Sequence, residues 1–238
     1  MFPFINRKKN IIFWWSAKAG CSTIKSIMFE MINKNSKSWK DEEFHKPITK
    51  GKIDLKNAQL FTNILFIRDP YKRFISGVID KNINGELSSF YKPKNILDAS
   101  QNIDSLCPWR HHFAPQTSER FIPNLKFDYV YDIEKINYEE LSSVCNFHIV
   151  ERKKNQSLSR NLDTKFIDAC LLDYNTLVNL KLNKNIPSYQ YFYSSNVKKN
   201  INKYYYKDFI LFQEYNFYYN ISTIDCQYDD IFIINEPT

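Results

Sequence analysis

Apolar residues near the start of the chain follow two different periods. Ile11-Ile12-Phe13-Trp14-Trp15 is an unbroken apolar run, the length of a buried strand. Ile24, Ile27, Met28, Met31 and Ile32 then recur at i, i+3, i+4, i+7 and i+8, one apolar face of a helix. Ser16-Ala17-Lys18-Ala19-Gly20-Cys21-Ser22-Thr23 lies between them, a turn of mostly small residues. A strand, a small-residue turn and a helix aim backbone N–H groups and a positive helix end at an anion. With Lys18 in the turn, this segment predicts a site for a phosphate-like or sulfate-like group.

The pattern repeats downstream. Ile64-Leu65-Phe66-Ile67 reads as a second buried strand. At Arg68-Asp69-Pro70 the aspartate can cap and the proline can take the first helical position. Tyr71, Phe74, Ile75, Val78 and Ile79 give the next helical stripe. A third strand is expected at 128–132. Helices are expected over 137–146 with Asn137 as cap, over 164–181, and from about residue 195 behind a Ser194/Ser195 cap. Residues 33–58 read as a polar loop with room for a short helix, and they carry His45. Residues 82–124 read as irregular with short helices near 96–104, and the chain beyond 215 as weakly structured. Strands alternating with helices predict an α/β fold with a P-loop-like parallel sheet and helices on both faces. The expectation is one domain over 1–238, with a core over about 9–215 and a tail over about 216–238.

Composition refines this picture only a little. A chain of 238 residues with 43% hydrophobic content can build a substantial core. Only 4 glycines are present, so turns must lean on Asn, Asp, Ser and the 9 prolines. The net charge of +7 suits an anionic partner such as a nucleotide, acidic glycan, nucleic acid or membrane surface, but a solvated basic face gives the same number. The five cysteines, Cys21, Cys107, Cys145, Cys170 and Cys226, show no C-x-x-C spacing. That argues against a zinc ribbon or a disulfide framework and fits a reducing compartment. Cys21 reads as a small space-filler in the turn, not as a nucleophile. The first apolar run is far shorter than the roughly 18 residues that span a bilayer, and it breaks at Ser16 and Lys18 behind Arg7-Lys8-Lys9. The expectation is therefore a cytoplasmic protein with neither signal peptide nor transmembrane segment.

The motifs carry more. A Walker loop places lysine after its glycine, whereas here Lys18 precedes Gly20. The order Lys-x-Gly-x-Ser-Thr resembles the 5′-phosphosulfate loop of sulfotransferases, commonly Pro-Lys-x-Gly-x-Thr, with Ala17 in the place of the proline. Phe66-Ile67-Arg68-Asp69-Pro70-Tyr71-Lys72-Arg73-Phe74-Ile75-Ser76 resembles that family's 3′-phosphate motif, R-D-P-[FY]-x-R-[FL]-x-S. Its logic is physical: Arg68 ends a strand at the sheet's carboxyl edge, and Ser76 follows two helical turns later, off the apolar stripe. A guanidinium and a hydroxyl make a good clamp for a phosphate monoester. The competing reading pairs Arg68 with a carboxylate and lets Ser76 back-bond its own helix.

Three later segments resemble carbohydrate sulfotransferases of the chondroitin and dermatan type, that is, sulfotransferase family 2. His112-Phe113-Ala114-Pro115-Gln116 is similar to H-W-x-P-Q. Residues Phe127 to Ile136 are similar to the D-[YF]-[IV]-G-x-x-E-x-L strand, with Tyr131 in place of its glycine. Tyr205-Tyr206-Lys207-Asp208-Phe209-Ile210-Leu211-Phe212 is similar to the closing Y-x-x-D-F-x-x-F. Ser118-Glu119-Arg120 stands where secreted members usually carry cysteines.

The resemblance implies 3′-phosphoadenosine 5′-phosphosulfate as donor cosubstrate, a carbohydrate acceptor and no metal. Lys18 would neutralise charge on the leaving phosphate, while Gly20, Cys21, Ser22 and Thr23 cradle the 5′-phosphate and Arg68 and Ser76 hold the 3′-phosphate. The acceptor hydroxyl needs a base. His112, in the H-W-x-P-Q position, is the first choice and His45 its rival, with Glu42 and Glu43 left open. His111 and His148 read as structural. Trp109 is the aromatic best placed to meet an acceptor, while Trp14, Trp15 and Trp39 read mainly as core. The run Arg152-Lys153-Lys154-Asn155-Gln156-Ser157 can close over phosphates or simply be solvated. Two other classes remain. A small nucleotide kinase would need a glycine-lysine pair and a magnesium-binding aspartate, and Asp69 is badly placed because Pro70 follows it. A non-catalytic glycan- or nucleic-acid-binding protein is supported by charge alone, and no specific nucleic acid is expected. Oligomeric state is not legible.

Overall fold

The structure, a computed structural model, describes residues 2–32, 54–83, 91–106, 110–117, 124–150, 168–183 and 185–219. The chain divides into two compact units, Met1–Asp69 with Gln116–Gln156, and Pro70–Pro115 with Ser157–Thr238.

The first unit holds a four-stranded sheet in the order β1-β2-β3-β4: β1 (Phe2–Asn6), β2 (Ile11–Trp15), β3 (Thr62–Ile67) and β4 (Tyr129–Asp132). Strands β2, β3 and β4 run parallel, and β1 pairs antiparallel with β2. The sheet is thus mixed, which corrects the expectation of a purely parallel one starting about ten residues in. Phe2-Pro3-Phe4-Ile5-Asn6 gives a weak strand signal because of Pro3, yet proline is tolerated on an edge strand. The tight return through Asn10, whose φ is +56°, makes the antiparallel pairing possible.

Alternation decides what β2 buries. Ile11, Phe13 and Trp15 face one side with Ile64, Phe66 and Tyr131, and these pack with Ile24, Ile27, Met28 and Met31 of α1 (Cys21–Ile32). Helix α1 therefore forms from its apolar stripe, as the spacing predicts. On the opposite side Trp14 donates to the Asn63 side chain at 2.9 Å and meets Phe127 edge-on. Trp14 and Trp15 are core residues. A short helix, α2 (Leu55–Ala58), precedes β3.

The second unit opens with α3 (Pro70–Ile83), which begins at the proline as expected. It continues through α4 (Ile96–Gln101) and α5 (Arg110–Phe113). In the first unit, α6 (Tyr138–Cys145) is capped by Asn137, whose side chain accepts from the Glu140 N–H, and its Leu141 and Cys145 join the α1 cluster. The expected helix over 164–181 is shorter among the described residues: α7 spans Tyr174–Leu182. Asp168 sits in the left-handed region, a single 3-10 turn follows, and Asp173 restarts the chain as a cap. Helix α8 (Ser195–Tyr204) is capped by Ser194, and α9 (Tyr206–Glu214) follows at once. Residues 33–53, which include His45, and 220–238 of the expected tail lie outside the described residues.

Candidate active site

Three parallel strands end on the same edge of the sheet. Lys18 follows β2, Arg68 follows β3, and Glu134 follows β4. The carboxyl edge of a parallel sheet is where ligands bind in open α/β folds.

The turn after β2 is held in an uncommon shape. Lys18 has φ +62°, in the left-handed region that non-glycine residues rarely adopt. Gly20 follows at φ +70°, and a Cβ there would lie 3.1 Å from Ile133 Cδ1, so the position suits glycine on two grounds. The Ala19 N–H closes the turn on the Ser16 carbonyl at 3.1 Å, and Cys21 Sγ donates to the same carbonyl at 3.5 Å. The Ile24 N–H donates to Gly20 O at 3.0 Å, which starts α1. First-turn N–H groups of a helix have no acceptor inside it and point beyond its end. Gly20, Cys21, Ser22 and Thr23 therefore surround the positive end of α1.

Arg68 braces this turn. Its Nη1 donates to Lys18 O at 3.0 Å, and its Nε lies 3.3 Å from Glu134 Oε1. The competing carboxylate reading of Arg68 is thus the arrangement seen here, and the same residue is joined to the turn that carries Lys18. Gln116 ties the strand ends together. Its Oε1 accepts from the Arg68 N–H and from Ser16 Oγ, both at 3.2 Å, and its Nε2 donates to Arg68 O at 2.8 Å. Gln116 and Glu134 carry roles that the sequence reading did not assign. The only signal for either was its place in a family-like segment.

The second unit carries Ser76 and His112. Ser76 is half-buried on α3. His112 is half-buried on α5, with its Nδ1 buried. The α5 turn is fixed at its end. Phe113 O accepts from the Tyr205 hydroxyl at 2.7 Å, and the Phe113 ring packs against Gly77, where a Cβ would come within 2.9 Å of Phe113 Cε1. Arg73, the second arginine of the R-D-P segment, is fully buried with its guanidinium 5.8 Å over the Tyr205 ring. Burial holds the Tyr205 phenol above its ordinary value, and Arg73 opposes that rise.

Other expectations sort by burial. Tyr131, which replaces the strand's glycine, faces the α1 side as part of the core, and burial raises its phenol. Burial pushes the Cys145 thiol up to about 12, which keeps it an inert core thiol. His148 is exposed. His45, Glu42, Glu43, Trp39, Trp109, Cys107, Cys226 and the run 152–157 lie outside the described residues. Among the described residues no group of three or more His, Cys, Asp and Glu could hold a metal ion, and no helix is long and apolar enough to cross a membrane.

Comparison with known proteins places this edge in a family. The family model described as the sulfotransferase family matches residues 3–216, a span that includes Lys18, Arg68, Ser76, His112, Gln116 and Glu134. No curated protein and no solved structure matches the chain. With a mixed α/β fold, a sheet flanked by helices and most of its length matched, the chain belongs to the sulfotransferase family, in family 2, and to the transferases of sulfuryl groups.

Proposed function

We propose that the chain transfers a sulfuryl group from 3′-phosphoadenosine 5′-phosphosulfate to a hydroxyl of a carbohydrate acceptor. The observation that carries this reading is the turn after β2. Lys18 is held left-handed at the positive end of α1 and is joined through its carbonyl to Arg68. The residues present suit such a donor. Ser16 to Thr23 contains no acid, the backbone at Gly20 is bare, and Arg68 pairs with Glu134, one of the carboxylates on this edge.

The donor supplies an activated sulfuryl group, and the chain supplies position and charge. Gly20, Cys21, Ser22 and Thr23 hold the 5′-phosphate with backbone and hydroxyl donors. Arg68 and Ser76 hold the 3′-phosphate. Lys18 meets the negative charge that grows on the leaving phosphate. His112 takes the proton of the acceptor hydroxyl, and His45 is the second candidate base. The chemistry requires no metal. The scattered cysteines support a cytoplasmic setting.

The test is transfer of label from radiolabelled donor to desulfated chondroitin-type and dermatan-type polysaccharides. The wild-type chain is expected to label at least one of them. Lys18→Ala is expected to lose about a hundredfold or more in turnover, the scale seen when a donor to developing charge is removed. Wild-type turnover in Lys18→Ala would remove Lys18 from the reaction.

A further inference from the structure

We propose that Gln116 is a positioning residue for the donor nucleotide, its single buried carboxamide fixing the spacing between the two strand ends that carry Lys18 and Arg68. This rests on the reading of that edge as the nucleotide site.

Gln116 is 1% exposed, so its polar atoms have to find protein partners. Those partners are specific. The carboxamide meets the backbone of Arg68 on both sides, accepting from its N–H at 3.2 Å and donating to its carbonyl at 2.8 Å. It thus treats Arg68 as a neighbouring strand would, one residue past the end of β3. The second lone pair of Oε1 takes the Ser16 hydroxyl at 3.2 Å, one residue past the end of β2.

These bonds close a ring. Gln116 binds Ser16, and the Ser16 carbonyl accepts from the Ala19 N–H in the turn that carries Lys18. The Lys18 carbonyl accepts from Arg68 Nη1, and the Arg68 backbone returns to Gln116. Lys18 holds a conformation that its own backbone disfavours, so it needs restraint from outside the turn. Arg68 gives that restraint, and Gln116 fixes Arg68. An ionised glutamate sets an oxygen against the Arg68 carbonyl, asparagine is one methylene short, and leucine or methionine leaves both backbone groups of Arg68 without this partner.

The test is calorimetric titration of the full chain with 3′,5′-adenosine bisphosphate, from pH 5 to pH 8, with melting curves as a control for folding. Gln116→Ala is expected to bind about tenfold or more weakly than wild type. In Gln116→Glu the introduced carboxyl can still donate its proton to the Arg68 carbonyl while protonated. Its affinity relative to wild type is therefore expected to be near one at low pH and to fall as that carboxyl ionises. Ser16→Ala removes one bond of the ring without adding charge and is expected to weaken binding about threefold to tenfold. If Gln116→Ala does not fold, Ser16→Ala and the pH profile of Gln116→Glu decide. Wild-type binding with an unchanged Ser16→Ala and a flat Gln116→Glu ratio would overturn the role of Gln116 alone. Failure of the wild-type chain to bind the nucleotide would overturn the site reading, and this inference with it.

Discussion

Lys18 keeps a left-handed backbone that costs a non-glycine residue about 1–2 kcal/mol. Glycine would be cheaper there, so the side chain itself accounts for lysine at this position, and an ammonium at the end of α1 is suited to meet a developing anion. The two histidines are separable by the same kind of reasoning. A base must be neutral to accept a proton, so the rate should rise with pH through its titration. His112→Ala is expected to lose that acid-side limb and about 10²–10⁴ in rate while still binding 3′,5′-adenosine bisphosphate. His45→Ala should be the milder change. The measurement is a pH–rate profile of each variant at saturating donor. A limb kept in His112→Ala but lost in His45→Ala would reverse the two roles, and a limb lost in neither would point to Glu42 or Glu43.

Element by element, the chain announces what local rules govern. Asn137 and Ser194 cap helices as their positions predict, Pro70 opens α3, and the apolar run of β2 is buried along its whole length. What local rules miss are the features fixed by distant partners. Strand β1 exists because β2 offers it an edge, and Pro3 hides it from any propensity argument. Asp168 interrupts the apolar pattern ahead of α7 by taking a left-handed backbone that periodicity cannot reveal. In the site, the residue types of the Lys18 turn and of the Arg68 segment were legible. The bonds from Gln116 to Ser16 and Arg68 were not, because they join positions 100 and 48 residues apart. Tyr205 makes the same point in the second unit. Its hydroxyl fixes the end of α5 through Phe113 O, 92 residues away in sequence. Tyr205→Phe leaves that buried carbonyl without this donor and is expected to cost about 1–3 kcal/mol in urea unfolding. Because α5 carries His112, turnover should fall more than nucleotide affinity does. A variant with wild-type stability and turnover would show that the bond does not hold α5 in place.

At the scale of the whole molecule, the candidate residues fall in both units. The first holds the turn of Lys18 and Gly20 with Arg68, and the second carries Ser76 and His112. The family match runs through both, over residues 3–216. A net charge of +7 favours an anionic ligand without choosing one, since long-range charge is screened within roughly 8 Å at physiological salt. The choice must come from local geometry, and the 3′-phosphate is the group that separates the proposed donor from common adenine nucleotides. The most direct measurement is calorimetric titration of the wild-type chain and Arg68→Ala with 3′,5′-adenosine bisphosphate and with adenosine 5′-monophosphate. The account predicts that the wild-type chain binds the bisphosphate much more tightly than the monophosphate, and that Arg68→Ala loses most of that difference, about 1.5–3 kcal/mol for a charged hydrogen bond. Equal affinity of the wild-type chain for the two nucleotides, or no binding of either, would contradict it.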